Sequence, residues 1–248
     1  MANTVLYQTA SKVIERDGNF VVKKFNGSYP KSDVLNEALN QARVEATDLN
    51  IPKVHAVDVE DGEWAIRMDY VEGKTIQQLM DENPDKAEQY LNMFVDLQVE
   101  MQSKKVPLLP RLKDKMQAKI SQTAFDATTR YELHMRLDSI PKHLKLCHGD
   151  FTPSNVIIST DGRAFIIDWS HATQGNASLD AARTYLTFCL EGKQELADKY
   201  LNLFCKKTDT AKQYVQRLMP IVAATQSLKA KPEEKELLSR WVNVVEYE

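Results

Sequence analysis

The chain has 248 residues, of which 43% are hydrophobic and 27% charged, and this composition fits a globular protein with one large domain or two small lobes. Its 32 Lys and Arg residues against 35 Asp and Glu residues give a net charge of −3, which argues against a dedicated nucleic-acid partner. The chain has no apolar run long enough to cross a membrane, no secretion-type start and only three scattered cysteines, so we expect a cytoplasmic protein without a membrane partner.

The first 70 residues have the pattern of a small β-rich segment. Five short runs rich in β-branched and aromatic residues predict strands: Thr4–Tyr7, Lys12–Glu15, Phe20–Phe25, Val54–Val59 and Trp64–Tyr70. Asp17-Gly18 and Asp61-Gly62 are tight-turn signals, and the second of them predicts a hairpin between the last two strands.

One helix is predicted between the third and fourth strands. Pro30 with Ser32 or Asp33 can open this helix, which is expected to run from about Val34 to Asp48. Five apolar residues at helical spacing predict its buried face: Leu35, Ala38, Leu39, Ala42 and Ala46.

From Val71 onward the pattern becomes mainly helical. Helices are predicted at four places: Thr75–Met80, Asp85–Ser103, Leu112–Ile140 in one or two pieces, and from Leu179 to the end. A strand pair interrupts them around residues 146–167. We therefore predict an α+β chain with a small lobe, residues 1–70, a hinge near Asp69–Gly73 and a larger helical lobe, residues 71–248, with a ligand crevice between the lobes.

The segment Leu146–Ile158 carries the strongest chemical signal in the chain. Asp150 and Asn155 lie five positions apart between two apolar runs, and Asp168 ends the next apolar run. Phosphoryl transfer uses such a set, because one carboxylate accepts a hydroxyl proton while an amide and a second carboxylate hold magnesium. Taken alone, Asp150 and Asn155 are also common turn residues. A carboxylate such as Asp168 at the end of a buried strand is costly unless a cation or a hydrogen-bond donor faces it.

Lys23 in the third strand is the candidate phosphate-binding cation. A strand lysine is normally a solvated edge residue, but a glutamate on the following helix can hold its ammonium in position. Glu37 and Glu45 both qualify, and helical periodicity slightly favours Glu45. Asp180 either braces the catalytic loop through backbone N–H groups or belongs to a helix N-cap.

The string from His148 to Asn155 resembles the catalytic loop of the aminoglycoside phosphotransferase and choline kinase family, whose members are relatives of the protein kinases. Ile167-Asp168-Trp169 resembles the metal-binding segment of that family. The resemblance covers nearly the whole chain and implies a bilobal protein-kinase-like fold. Residues 1–70 would be a β-rich nucleotide-binding N-lobe with one helix, and residues 71–248 a mostly helical catalytic and substrate-binding C-lobe.

The same resemblance implies roles for the motif residues. Asp150 would be the catalytic base, and Asn155 and Asp168 would be the Mg²⁺ ligands. Lys23 matches the third-strand lysine of the family. Glu37 fits its partner better than Glu45 does, because the family glutamate stands farther ahead of a strand start such as that following Ile51-Pro52.

The nucleotide contacts are also implied by resemblance. The phosphate-covering loop would be Tyr7–Ser11, which contains no glycine, so the hydroxyls of Thr9 and Ser11, backbone amides or Lys12 would replace the usual backbone contacts. The backbone of the hinge would hydrogen-bond the purine edge. The hinge residues concerned are Asp69, Tyr70 and Val71.

These features predict a small-molecule kinase that uses ATP or GTP and Mg²⁺ to phosphorylate a substrate hydroxyl. The alternative is a catalytically weak nucleotide-binding or sensing protein of the same fold, which the glycine-free loop suggests. A protein-substrate kinase is a third hypothesis, but no Ala-Pro-Glu-like segment follows Asp168. An aminoglycoside would need an acidic patch, for which the candidates are Glu191, Glu195, Asp198 and Asp209. A choline-like substrate would need an aromatic cage, for which the candidates are Trp169, Tyr185, Phe188, Trp241 and Tyr247.

Overall fold

A computed structural model describes residues 4–242, and its contacts divide the chain into two compact units. The first unit contains the residues up to Ala87 together with Pro153–Ala172, and the second contains Glu88–Thr152 together with the described residues from Thr173 onward. The predicted lobe boundary between residues 70 and 71 stays a prediction. The last residues of the predicted C-terminal helix, 243–248, lie outside the described part of the chain.

Strands and helices alternate in a mixed pattern along the described residues. The strands are β1 (Thr4–Gln8), β2 (Lys12–Asp17), β3 (Phe20–Phe25), β4 (Val54–Glu60), β5 (Glu63–Asp69), β6 (Gly73–Thr75), β7 (Lys145–Cys147), β8 (Val156–Ser159), β9 (Ala164–Ile166) and β10 (Thr173–Gly175). The helices are α1 (Lys31–Val44), α2 (Ile76–Glu82), α3 (Ala87–Ser103), α4 (Leu112–Gln122), α5 (Ala127–Ser139), α6 (Ala177–Leu190), α7 (Gln194–Thr208), α8 (Lys212–Arg217), α9 (Met219–Ser227) and α10 (Lys235–Val242).

The first unit is built on a five-stranded antiparallel sheet. Its strand order is β1-β2-β3-β5-β4, so the predicted strands of the first 70 residues are confirmed. Gly18, Asp61 and Gly62 have positive φ in the two predicted tight turns, which join β2 to β3 and β4 to β5. A smaller sheet with the order β6-β8-β9 belongs to the same unit.

Helix α1 packs on the larger sheet with a different face from the predicted one. Of the predicted stripe only Ala38 is buried, while Leu35 and Leu39 are 43% and 47% exposed. The buried residues are Val34, Glu37, Ala38, Asn40, Gln41 and Val44. The prediction was wrong because three of these residues are polar and bond inward, Gln41 to the Pro52 carbonyl and Asn40 to the Ser170 carbonyl, with Glu37 bonding Lys23.

The predicted end of α1 at Asp48 is also wrong, because the helix ends at Val44. The Thr47 N–H and hydroxyl both donate to the Val44 carbonyl, at 2.9 and 2.8 Å, and so satisfy a carbonyl that the helix leaves without a partner. Glu45 is the C-cap residue of α1, and its side chain turns to the start of β4.

The second unit is mainly helical and has an aromatic core. Phe94 of α3 stacks on Phe151 with 4.5 Å between ring centroids, and Phe188 of α6 meets Tyr200 of α7 edge-on at 5.6 Å. The predicted helix over residues 112–140 forms in two pieces, because the Asp126 side chain accepts from the Thr129 N–H and starts α5. Strand β7 pairs with β10 beside this core.

The predicted fold class is confirmed, because the structure combines an N-terminal antiparallel sheet and its helix with a helical C-terminal part. Cys147, Cys189 and Cys205 are all buried and free of disulfides. Within residues 4–242 we find no helix with the length and apolar character needed to cross a bilayer.

Candidate active site

Lys23 is the centre of a buried charged group in the first unit. It lies in β3 with 4% of its surface exposed, and its ammonium forms an ion pair with Glu37 of α1. The same ammonium lies 3.4 Å from Asp168 Oδ1, just after β9. Burial alone would lower the pKa of Lys23, but the carboxylates of Asp168 and Glu37 outweigh it and raise that pKa above its usual value. The structure therefore brings together three of the predicted site residues.

Of the two glutamates that the sequence offered, Glu37 is the one in contact with Lys23. Its side chain is buried on the face of α1 that packs against the sheet, and burial raises its pKa more than Lys23 lowers it. Glu45 has another partner, because its Oε1 accepts from the Val54 N–H at 2.8 Å. That bond fixes the start of β4.

Asp168 follows β9 in a left-handed backbone conformation, with φ of 61°. Left-handed residues other than glycine are uncommon and cluster at functional sites. The Ile167 N–H donates to the Asn155 carbonyl at 3.0 Å, so Asn155 and Asp168 stand at the same end of the β8–β9 hairpin. The hairpin thus places an amide and a carboxylate in adjoining positions.

The donor atoms at this end of the hairpin fit magnesium. Mg²⁺ prefers oxygen ligands and is commonly bound by one or two carboxylates together with substrate phosphates. Asp168 and Asn155 supply such oxygens. Among residues 4–242 there is no cluster of three or more His, Cys, Asp or Glu side chains arranged to hold a metal.

The glycine-free loop between β1 and β2 is ordered by Thr9. The hydroxyl of Thr9 accepts from the Lys12 N–H at 3.2 Å, and the Thr9 N–H donates to the Lys12 carbonyl at 2.8 Å. Thr9 is thus used to close the turn. The Ser11 carbonyl is also hydrogen-bonded, since it accepts from the Asn26 N–H at 3.0 Å.

Lys12 belongs to the charged group around Lys23. The sequence predicts it only as one of several possible replacements for the glycine-loop contacts. In the β2–β3 ladder Lys12 pairs with Phe25 and Ile14 with Lys23, so the two lysines are diagonal neighbours on one face of the sheet. Burial first and then the charge of Lys23 lower the pKa of Lys12. Within the described residues the Lys12 ammonium has no ion-pair partner. The strand alternation would have revealed this position once Lys23 was chosen.

The predicted hinge residues hydrogen-bond within the first unit. The Asp69 N–H donates to the Lys53 carbonyl at 3.0 Å and the Tyr70 N–H donates to the Asn19 carbonyl at 2.9 Å. The Asp69 carboxylate lies 2.6 Å from His55 Nε2, and its pKa is lowered because His55 and Lys53 outweigh its partial burial. The backbone N–H groups of Asp69 and Tyr70 therefore already have hydrogen-bond acceptors within the first unit.

Asp150 lies in the second unit, on a loop that Asp180 braces. The Gly149 and His148 N–H groups donate to the two carboxylate oxygens of Asp180, at 2.7 and 3.2 Å. Burial raises the pKa of Asp180, whereas these N–H groups act in the opposite direction. Gly149 has φ of 80°, which allows the sharp turn ahead of Asp150. The cap of α6 is Asn176, so of the two roles predicted for Asp180 the loop brace is confirmed.

The residue after Asp150 is held as firmly as the residues before it. Phe151 is fully buried against Phe94, and its carbonyl accepts from the Thr184 hydroxyl at 2.8 Å. His148 is fully buried too and meets Phe151 edge-on, so it packs within the loop. The anchors on either side limit the positions that the Asp150 carboxylate can take.

Arg183 is a residue of this loop region that sequence analysis missed. It lies on α6, its Nε is buried without a hydrogen-bond partner, and the carboxylates of Asp150 and Asp180 act on its charge. A single arginine within a helical pattern gives no signal of this kind, because its neighbours come from distant parts of the chain.

The candidate substrate-contact residues have simpler explanations in the structure. Glu191 pairs with Lys193 at 2.8 Å and Glu195 with Lys199 at 2.6 Å, so a lysine nearby in the sequence already balances the charge of each of these two carboxylates. Three of the predicted cage aromatics belong to buried cores: Trp169, Tyr185 and Phe188. Tyr247 lies outside the described residues.

Comparisons with known proteins identify the family and the fold of this chain. The model of a family described as the phosphotransferase enzyme family matches residues 8–214. The chain is similar in structure to a thermostable mutant of aminoglycoside phosphotransferase APH(4)-Ia in its apo form, with a TM-score of 0.70, 16% identity, and coverage of 97% of this chain and 91% of that one. No curated protein matched the chain in sequence.

Two further structures show the same fold. A ternary complex of the APH(4)-Ia mutant with AMP-PNP and hygromycin B gives a TM-score of 0.69 at 17% identity, covering 97% of this chain and 90% of that one. Choline kinase LicA from Streptococcus pneumoniae gives a TM-score of 0.68 at 16% identity, covering 98% of this chain and 92% of that one.

Proposed function

This chain belongs to the phosphotransferase enzyme family, and on that premise we propose that it transfers the γ-phosphoryl group of ATP or GTP to a hydroxyl of a small molecule. The observation that carries the proposal is the buried Lys23 ammonium, held by Glu37 and Asp168. A buried lysine with two carboxylates contributes little to stability by itself, and it suits a site that receives phosphate groups.

We assign the charged groups of the first unit to the nucleotide. Lys23 would contact the phosphates, and Glu37 keeps its ammonium in place. Lys12 adds a second cation on the same face of the sheet, where the loop lacks a glycine. The hinge would contact the base through its carbonyl groups and the backbone of Val71, since the amides of Asp69 and Tyr70 are already bonded.

Asp168 and Asn155 would hold magnesium. The bound ion would neutralise charge on the nucleotide phosphates and so favour their transfer. Asp150 would accept the proton of the attacking hydroxyl. Its loop is braced by Asp180 on one side and anchored through Phe151 on the other, so the base is held ready without rearrangement.

A test separates this proposal from the alternative of a nucleotide-sensing protein. ADP or GDP formation would be measured with magnesium over a panel of sugars, amino alcohols, hydroxy acids and aminoglycosides. Asp150→Asn should bind nucleotide as the wild type does, yet lose about 10²- to 10⁴-fold of the acceptor-dependent rate. A wild-type protein that binds nucleotide but transfers phosphate to no acceptor on the panel would instead support the sensing hypothesis.

A further inference from the structure

Three elements of the second unit bring four cationic side chains together. Lys115 and Lys119 are four residues apart on α4, which puts them on one face of that helix. Arg183 lies on α6, and Lys229 follows the end of α9. Helices α4 and α6 both pack against α9. We call these four residues the cationic cluster.

The charges of the cationic cluster act on one another. Burial, followed by the charges of Lys115, Arg183 and Lys229, lowers the pKa of Lys119 to about 8. Burial and then Lys229 and Arg183 lower the pKa of Lys115 as well. Like charges this close destabilise the folded chain, and proteins usually place carboxylates between them.

Such compensation is largely missing here. Within residues 4–242 no carboxylate forms an ion pair with any of the three lysines of the cluster, and Arg183 Nε is buried without a hydrogen-bond partner. The carboxylates that act on Arg183 are those of Asp150, Asp180 and Glu234. Asp180 already accepts three hydrogen bonds, from the loop N–H groups and from Gln102. The cluster therefore has an excess of positive charge.

Arg183 connects the cluster to the proposed base, because the Asp150 carboxylate is one of those that act on its charge. A hydroxyl held at Asp150 would leave the rest of its molecule near these cations. A cationic substrate would be repelled there, whereas an anionic one would supply the missing charge.

We infer that the phosphoryl acceptor is an alcohol that also carries a carboxylate or phosphate group, and that Arg183, Lys115 and Lys119 bind this anionic group. The inference rests on the proposed function for the role of Asp150. The inferred acceptor therefore has a charge opposite to that of a polycationic aminoglycoside. Of the four acidic residues that an aminoglycoside could use, Glu191 and Glu195 are already paired with lysines.

The test compares small alcohols of different charge. Glycerol, glycerate and glycerol 3-phosphate form a matched set, and choline adds a cation. Binding would be measured by calorimetry with the full-length protein, and turnover with magnesium and ATP. We expect at least one anionic member to bind, and its kcat/KM to exceed that of glycerol by more than about tenfold, as one charge-assisted contact gives. Tighter binding of glycerol 3-phosphate would indicate a phosphate site, and tighter binding of glycerate would indicate a carboxylate site.

Variants assign the effect to the cluster. Lys119→Gln and Lys115→Gln should each raise the dissociation constant of the preferred anion about tenfold and lower the preference for that anion over glycerol by a similar factor. Lys113→Gln is the matched control on the same helix, because Lys113 pairs with Asp138 at 3.0 Å. It should change nothing.

Two outcomes would overturn the inference. One is that neither anion binds; the other is that neutral or cationic alcohols are better acceptors than both anions. Either result would leave the proposed kinase function standing if any alcohol on the panel is phosphorylated. If an anion binds through the cluster but no alcohol is phosphorylated, the inference about the cluster holds and the proposed function fails.

Discussion

Asp168→Asn should remove activity while leaving the stability of the protein nearly unchanged. On the proposed function, Asp168 lies beside Lys23 to bind magnesium and phosphate, and not to hold the fold together. Asn keeps the shape of the side chain but removes the negative charge. Turnover should fall by about 10²-fold or more, the usual loss when an electrostatic contact to a transferring group is removed.

The expected stability change follows from the geometry. At a partly exposed site, two unit charges about 4 Å apart attract by about 4 kcal/mol before desolvation is counted. Lys23 and Asp168 are 3.4 Å apart, with 30% of the Asp168 side chain exposed. Desolvation and repulsion between Asp168 and Glu37 offset most of this attraction. Asn also tolerates the left-handed backbone that Asp168 adopts, with φ of 61°. We therefore expect the free energy of unfolding to change by less than about 1 kcal/mol.

Urea denaturation and a coupled ADP assay on the same preparation would measure both quantities. Asp161→Asn is the matched control, because Asp161 lies in the turn of the same hairpin and pairs with Arg163 at 2.8 Å on the surface. That variant should keep its turnover. A stability loss of more than about 3 kcal/mol in Asp168→Asn would show that Asp168 mainly stabilises the fold. Wild-type turnover would show that its charge is not needed for phosphoryl transfer.

Three further predictions concern Asp180, Lys12 and Lys119. Asp180→Ala should lower the free energy of unfolding by about 2–4 kcal/mol in urea titrations, because the Gly149 and His148 N–H groups lose a buried acceptor; Asp180→Asn should cost less. Lys12→Met should raise the KM for the nucleotide about tenfold without loss of thermal stability, and an unchanged KM would remove Lys12 from the site. Because Lys119 has a pKa of about 8, and a bound anion favours its charged form, the affinity for glycerol 3-phosphate should fall as the pH rises through about 8. Calorimetry near that pH should show proton uptake on binding, and the pH dependence should be weaker in Lys119→Gln.

Local patterns were sufficient to predict most of the fold. The strands of the first sheet follow from β-branched runs and glycine turns, and the fold class follows from the change to helical spacing after Val71. The buried face of α1 could not be predicted in this way. Glu37, Asn40 and Gln41 are buried because each finds a partner that is distant in sequence, and hydrophobic periodicity counts such residues as exposed.

The candidate site was predictable to the extent that motifs encode it. Asp150, Asn155 and Asp168 stand out because their spacing matches one kind of chemistry. Lys12 could have been found from strand alternation, since it shares a face with Lys23. Arg183 and the lysines of α4 could not have been found from the sequence. Three packed helices bring them together, and within the described residues no carboxylate forms an ion pair with these lysines.

The magnesium dependence of turnover is the most direct test of the separate roles given to Asp150 and Asp168. Rates would be measured over a magnesium titration for the wild type, Asp150→Asn and Asp168→Asn. We expect Asp150→Asn to keep the wild-type half-saturating magnesium concentration while its rate falls by about 10²- to 10⁴-fold. Asp168→Asn should instead need at least about tenfold more magnesium. Equal shifts in both variants, or no shift in Asp168→Asn, would contradict these separate roles.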